Sequence, residues 1–342
     1  METRDSLTIK NVAKRAGVSI ATAARAIGGY GSVSESARER VMAAAEELHY
    51  VPNAIAQSMR RQSTQTLGIV VGDIQAPFFS KMIYCVEEIA NKAGYNVLIC
   101  NNNERPEKEL MHMRSLFSKR VDGIIVSSAL PQDAHIDDMS AQFYQGEIPL
   151  VQCDRWVKAI HCPLVQCDNF KGSYEATKYL LDLGHRNIGV LASNYGASSM
   201  QERLGGYRKA LEEYGVAYRE DRICYCEKSY IPEEGRKLTK HMLKEFPEMT
   251  ALYVLNNPLY RSAWLELKES GIKIPGELSV LGWGDDQLTE AWDIAVVTQP
   301  IEEIAARAVG LLFDMIQRKE VAMDTRILLD TKLIRSKSCA PI

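Results

Sequence analysis

The sequence predicts a small all-α head joined to a larger α/β body with parallel sheets. Two observations carry this. Residues before about 51 hold only helical patterns, broken by glycine turns. From Leu67 onward, short apolar runs alternate with amphipathic helical stretches, the mark of βα units in an open parallel sheet with helices on both faces. More than 250 residues of this grammar exceed one such sheet, so two sheets are expected.

In the head, "LTIKNVAKRAGVSIATAARAIGG" divides into two short helices around Gly17. Ile9, Val12, Ala13 and Ala16 recur at helical spacing, and Thr8 is suited to cap the first helix. Ser19 caps the second, whose Val18, Ala23, Ala26 and Ile27 can face inward. Ser34 caps a third helix with Ala37, Val41, Ala44, Ala45 and Leu48 on one face. Helix, tight glycine turn and second short helix form a helix-turn-helix pattern, in which the second helix enters the DNA major groove. Ile20, Ala21, Ala24 and Arg25 remain for its outer face. An isoleucine beside an arginine there suits a thymine methyl next to a guanine.

Charge agrees. Residues 1–65 hold nine Lys or Arg against six Asp or Glu, while the whole chain carries −3. A basic head on an acidic body confines polyanion binding to the head. The stretch "NAIAQSMRRQSTQT", from Asn53 to Thr66, begins like a helix but is too short to be stable alone in water.

The body reads as "LGIVVGDI", helix Phe79–Ala93, "NVLICN", helix Lys108–Ser118, "VDGIIVSS", "IPLVQCD", helix Gly172–Leu183 and "NIGVLAS". Helix "RLGGYRKALEEYG" follows, then "ALYVLN", helix "RSAWLELKESG" and "LSVLGWGDD". No GxGxxG or GxxxxGK[ST] follows a strand, so an NAD- or ATP-dependent enzyme lacks its phosphate loop. No nucleophile–base set or carboxylate pair stands out, and no enzymatic role or cofactor is expected. The eight cysteines include no CxxC, so reduced thiols rather than a metal site are expected. No apolar run is long enough for a membrane span. "METRDSLTIK" lacks a signal-peptide core, which points to the cytoplasm.

Ligands of open α/β sheets lie beyond the carboxyl ends of the strands. Those positions are Asp73, Phe78, Phe79, Asp154 to Trp156, Asp168, Asn169, Asn256, Asn257 and Trp283 to Asp286. Carboxylates, amides and aromatics of this kind suit a hydroxyl-rich ring.

The segments "TIKNVAKRAGVSIATAARAIGG" and "VSESARERVMAAAEELHYVPNAIAQSMR" resemble the DNA-binding head of the lactose-repressor/galactose-repressor (LacI/GalR) family of bacterial transcription regulators. "DIQAPFFSKMIYCVEEIANKAGYNVLICNNN", "RVDGIIVSS", "CDNFKGSYEATKYLLDLGHRNIGVLA" and "RLGGYRKAL" resemble its effector domain, similar to two-lobed (type I) periplasmic sugar-binding proteins. The resemblance implies a helix-turn-helix domain over 1–51 and a hinge helix and linker over 52–66. An effector-binding and dimerisation domain spans 67–342. Its N-lobe would comprise 67–166 and 298–326, and its C-lobe 167–297 and 327–342. Crossings are expected near Gln166–Asn169, Val297–Gln299 and Asp324–Leu328.

By the same resemblance, Ile20, Ala21 and Arg25 read bases, Ser19 and Thr22 hold phosphates, and Thr8 belongs to the DNA-binding set. Ala24 stands where the family has a phosphate-binding serine. In the hinge, Asn53 caps a helix that includes Ala56. Met59 replaces the usual leucine wedge of the minor groove, and Arg60 and Arg61 meet phosphates. Arg203 matches the family's effector-binding arginine, with Asn256 matching the asparagine of an Asn-Asp pair. Asn257 replaces that aspartate, and Gly284 takes the place of another, with Asp285 beside it. Arg155, Tyr253 and Trp283 complete the expected effector set. Loss of two carboxylates near Arg203 and Arg155 implies a sugar acid or sugar phosphate as effector. The resemblance thus implies a homodimeric repressor of a carbohydrate-use operon, with double-stranded operator DNA and a small effector as partners. A nucleoside- or purine-responsive regulator, and a sugar-binding protein without DNA function, are the alternatives.

Overall fold

The computed structural model describes residues 7–51, 63–144, 146–193, 196–226, 231–284 and 293–342. The chain divides into two compact units, Met1–Gln65 and Thr66–Ile342. The hinge positions Asn53, Ala56, Met59, Arg60 and Arg61 lie outside the described residues, as does Asp285.

The first unit contains helices α1 (Ile9–Ala16), α2 (Ile20–Gly28) and α3 (Glu35–Glu47). At the start of α1, Asn11 Oδ1 accepts from the Thr8 backbone N–H (3.0 Å) and from its hydroxyl (2.7 Å), so Thr8 begins the helix with help from three residues on. Gly17 ends α1 at φ 64°, a left-handed conformation that glycine adopts without a Cβ penalty. Ser19 then caps α2 by accepting from Thr22 N–H at 3.1 Å. Val12, Ala13, Ala16, Ala23, Ala26, Val41 and Ala44 form the core. Five of these seven are alanines, so the three helices can approach closely.

Ala24 does not lie on the outer face of α2; it is buried. Helix α2 packs against both α1 and α3, so its covered arc is wider than one stripe and takes in the position next to Ala23.

Among the described residues, the second unit holds two six-stranded sheets. Strands β1 (Thr66–Val71), β2 (Asn96–Asn101), β3 (Gly123–Val126), β4 (Leu150–Cys153), β5 (Leu164–Cys167) and β11 (Arg326–Leu329) form the first. Its order is β11-β5-β4-β3-β1-β2, and all its pairs are parallel. The second contains β6 (Ile188–Ser193), β7 (Ile223–Cys226), β8 (Ala251–Val254), β9 (Ser279–Trp283), β10 (Ala295–Thr298) and β12 (Lys332–Ile334), ordered β12-β10-β9-β8-β6-β7. Here only β12 runs antiparallel, against β10.

Helices α4 (Pro77–Lys92), α5 (Pro106–Ser118) and α6 (Asp138–Tyr144) connect strands of the first sheet. Helices α7 (Asn169–Asp182), α8 (Ser198–Glu213), α9 (Pro232–Glu245) and α10 (Asn257–Glu269) belong to the second. Helix α11 (Ile301–Ile316) returns to pack on α4, β3 and β4. The chain therefore changes sheet after β5, after β10 and after β11. The last change falls between Leu329 and Lys332, later than Asp324–Leu328. Strand β11 still pairs with β5, Arg326 opposite Leu164 and Leu329 opposite Cys167, so residues 327–329 belong to the first lobe.

A continuous buried cluster runs from Leu67, Ile69 and Met82 in the first lobe to Leu180, Val190 and Tyr253 in the second. The lobes thus share apolar packing around the three crossings.

A cleft between the lobes and an exposed recognition face

In the second unit, strand ends and helix starts of both lobes meet around a cavity of about 70 Å³. The first turns of α4, α8 and α10 contribute Phe78 and Phe79, Ser199 and Met200, and Asn257 and Pro258. Unpaired N–H groups and the helix dipole make such helix starts favourable to ligand oxygens. Asp73, Asp154, Arg155, Arg203, Asn256, and Trp283 also line the cavity, so nine of the expected effector positions converge.

Arg203 is buried. Its Nε donates to Asn169 Oδ1 at 2.9 Å, and its Nη1 donates to the Leu255 carbonyl at 2.7 Å. Its guanidinium lies 3.9 Å from the Trp283 ring centroid, a cation–π stack that fixes the plane of the group. Burial lowers the Arg203 pKa, partly offset by nearby Asp154. The Trp283 indole N–H is buried and has no partner among the described residues.

Asp154 follows β4 with φ 65°, a left-handed conformation that short polar side chains tolerate. Burial raises its carboxyl pKa, while Arg155 and Arg203 oppose the shift. Arg155 is paired: Nη2 donates to Glu104 Oε1 at 3.0 Å, and Nη1 to Glu104 Oε2. Phe78 and Phe79 meet edge to face at 5.2 Å.

Three expectations change. Tyr253 does not line the cavity; its ring is fully buried and its hydroxyl donates to Ser173 Oγ at 3.2 Å. Alternation along β8 directs it into the sheet–helix layer. Asn256 reaches the cavity, but its Oδ1 accepts from Leu259 N–H at 3.3 Å and caps α10. The expected loss of negative charge is offset by Glu104. With Asp73 and Asp154 it gives three carboxylates against Arg155 and Arg203 among the described lining residues.

Glu104, Ser193, Ala197, Ser199, Met200, Pro258 and Gln299 also line the cavity, and none of them is among the effector residues expected from sequence. Gln299 follows β10 and donates from Nε2 to Cys167 Sγ at 3.2 Å. Both Glu104 and Gln299 obey the strand-end rule. The run "NNNE" after "VLIC" was the available signal for Glu104.

In the first unit, Ile20 is 48% exposed, and Ala21 and Arg25 are exposed beside it. The Arg25 guanidinium makes no hydrogen bond or ion pair among the described residues. Its aliphatic stem passes Gly31, where a Cβ would lie 3.0 Å from Arg25 Cδ. Ser19 is occupied by its cap, and Thr22 Oγ1 lies 2.9 Å from Ser19 Oγ.

Two family models match. "Bacterial regulatory proteins, lacI family" covers residues 8–53, and "Periplasmic binding proteins and sugar binding domain of LacI family" covers 64–329. The HTH-type transcriptional repressor PurR of Pasteurella multocida (strain Pm70) is 33% identical over 315 residues, 91% of this chain and 92% of that protein. The HTH-type transcriptional regulator DegA of Bacillus subtilis (strain 168) is 33% identical over 303 residues, 87% of this chain and 88% of its own. These relatives are regulators, not enzymes. Among solved structures, a complex of the transcriptional regulator CelR with cellobiose aligns at 27% identity and TM-score 0.71, covering 97% of this chain and 99% of that one. The lac repressor dimer bound to operator and the anti-inducer ONPF shares the fold, with TM-score 0.83 at 23% identity, over 98% of this chain and 100% of its own.

Proposed function

Because the chain belongs to the LacI family of bacterial regulatory proteins, we propose that it represses transcription under control of a small neutral ring compound rich in hydroxyl or amide groups. The repressor binds operator DNA through α2, with Ile20, Ala21 and Arg25 toward base edges. Ser19, Thr22 and Thr8 lie near the backbone, where phosphate contacts set register without reading sequence. Asn53, Ala56, Met59 and Arg60 extend the interface into the minor groove, where an apolar wedge kinks the duplex.

The observation that carries the effector class is the lining of the cleft. Carboxylates and amides face an opening flanked by Phe79 and the Arg203–Trp283 stack, chemistry suited to a sugar and its hydroxyls. Among the described lining residues carboxylates outnumber guanidiniums, which weighs against a sugar acid or sugar phosphate. A purine base is the second reading, favoured by the likeness to the PurR repressor of Pasteurella multocida. Its flat ring can stack against the same aromatic wall.

A homodimer is the working assembly. Edge strand β2 and neighbouring α4 expose Ile99 and Tyr84, a surface suited to a second copy. Effector and operator then bias one equilibrium between lobe arrangements, so each alters the affinity for the other by the same factor. The test is a thermal-shift panel of neutral sugars, nucleobases, sugar acids and sugar phosphates. A bound compound raises apparent stability by mass action. The reading expects a neutral compound to give the largest shift; a sugar phosphate doing so would reverse the effector assignment.

A further inference from the structure

We infer that Glu104 is the residue that sets the charge class of the effector, by occupying Arg155 as a built-in anion; this rests on the cleft being the effector site. Arg155 is the natural anion receptor of the cavity. A guanidinium matches carboxylate and phosphate in a two-pronged geometry, and Arg155 lines the cavity with its guanidinium 5.6 Å from the Phe79 ring centroid. Both terminal nitrogens already bind the Glu104 carboxylate. The pair is sheltered, with side-chain exposures of 12% for Arg155 and 17% for Glu104, so water screens it far less than a surface pair.

The placement of Glu104 is built from several segments. Its residue sits at φ 57°, and its backbone N–H donates to Asn102 Oδ1 at 2.9 Å and to the Gly72 carbonyl at 3.2 Å. Asn102 is itself held, donating from Nδ2 to Glu109 Oε2 at 3.1 Å. Glu109 is buried and also accepts from Ser128 (2.7 Å) and Tyr144 (2.9 Å). At residue 72 a Cβ would stand 2.2 Å from Glu104 Oε1. Glycine there opens the space through which the carboxylate reaches Arg155.

An anionic effector must therefore displace Glu104 or bind against it, with Asp154 3.7 Å from Arg155 Nε adding to the repulsion. A neutral ring meets no such conflict and can donate hydroxyls to the outer lone pairs of Glu104. One carboxylate thus excludes acidic metabolites and admits neutral ones, a device that works through repulsion as much as attraction.

The test uses the full chain and inorganic phosphate as probe, against chloride at matched ionic strength, read as thermal midpoint. The variants are Arg155→Met, Glu104→Gln and the double variant. Wild type and Arg155→Met should respond alike. Glu104→Gln should bind phosphate at least about tenfold more tightly than wild type, since removing a like charge at contact is worth that much or more. Adding Arg155→Met should abolish the gain. The inference is overturned if wild type binds phosphate about tenfold more tightly than Arg155→Met, a comparison that stands even if Glu104→Gln fails to fold. It is equally overturned if a folded Glu104→Gln gains nothing. Failure of the cleft as effector site shows separately, as wild type indifferent to every neutral ring compound.

Discussion

Replacing Glu202 by glutamine should loosen the two lobes. Glu202 lies on α8 of the second lobe, one residue before Arg203. Its carboxylate accepts from Trp156 Nε1 at 3.0 Å, from Gln166 Nε2 at 3.1 Å and from Asn169 Nδ2 at 3.2 Å. Trp156 and Gln166 belong to the first lobe, and the Trp156 backbone N–H also donates to Ser198 Oγ on α8 at 2.8 Å. A glutamine keeps one oxygen and turns an NH2 toward groups that are themselves donors. Between one and two bonds to an ionised acceptor are lost, at about 1.5 kcal/mol each for a half-buried group, or about 2 kcal/mol in all. Urea unfolding of wild type and Glu202→Gln at neutral pH reads this as a lower midpoint with the same slope. If the closed arrangement alone carries the bridge, effector affinity falls by up to about thirtyfold. An unchanged urea midpoint and unchanged effector affinity would refute the claim that this carboxylate fastens the lobes.

On the head, Arg25→Ala should cost about 1–3 kcal/mol at one base pair and relax choice there; equal weakening on every sequence would make Arg25 a phosphate contact. Ile20→Ala should leave the head folded, since Ile20 is half exposed, and weaken discrimination for thymine; a large fall in head stability would contradict this placement. His185 predicts an acid-sensitive step. Its Nε2 faces the Ala340 carbonyl at 3.2 Å and its Nδ1 lies 3.0 Å from Thr250 Oγ1. Burial lowers its pKa below the ordinary 6.5, with the Arg186 charge acting in the same direction and the Ala340 bond against it. Folding then favours the neutral ring, so this stability is fully present above about pH 6.5 and drains away below it as the unfolded chain takes up protons first. His185→Gln should flatten the acid side of a urea-midpoint profile; an unaltered profile would assign the acid loss to other groups.

The head was legible because its signals are local. Thr8, Gly17 and Ser19 mark the helix ends, and each is found doing so. Only the burial of Ala24 escaped, since it depends on two helices packing against α2 at once. In the body, long alternating segments were readable, whereas the short strand β7 and the strands around α11 carried little periodicity. Missing β10 and β11 as strands had consequences. Gln299 was not reached as a strand-end residue, and the last crossing was placed too early.

At the cleft, strand-end logic located Asp73, Asp154, Asn256 and Trp283 without a structure, while Arg203, inside a helix, was reached only through the family resemblance. It could not locate pairings across the fold. Glu104 and Arg155 are 51 residues apart in sequence, and Glu202 with Trp156 is 46 apart. Such partners decide the charge and stiffness of the site, yet they meet only once two segments of the sheet are side by side. Tyr253 shows the converse, since a residue near a strand end can face the core.

The central claim is that one chain couples operator affinity to occupancy of the interlobe cleft. The most direct measurement is a gel-shift titration of the full-length protein on DNA upstream of its own operon. It is run with and without the neutral compound that most stabilises the protein. A specific complex whose affinity changes by about 5–150-fold with that compound is the expected result. No specific complex at low salt, or a complex indifferent to a compound shown to occupy the cleft, would contradict it.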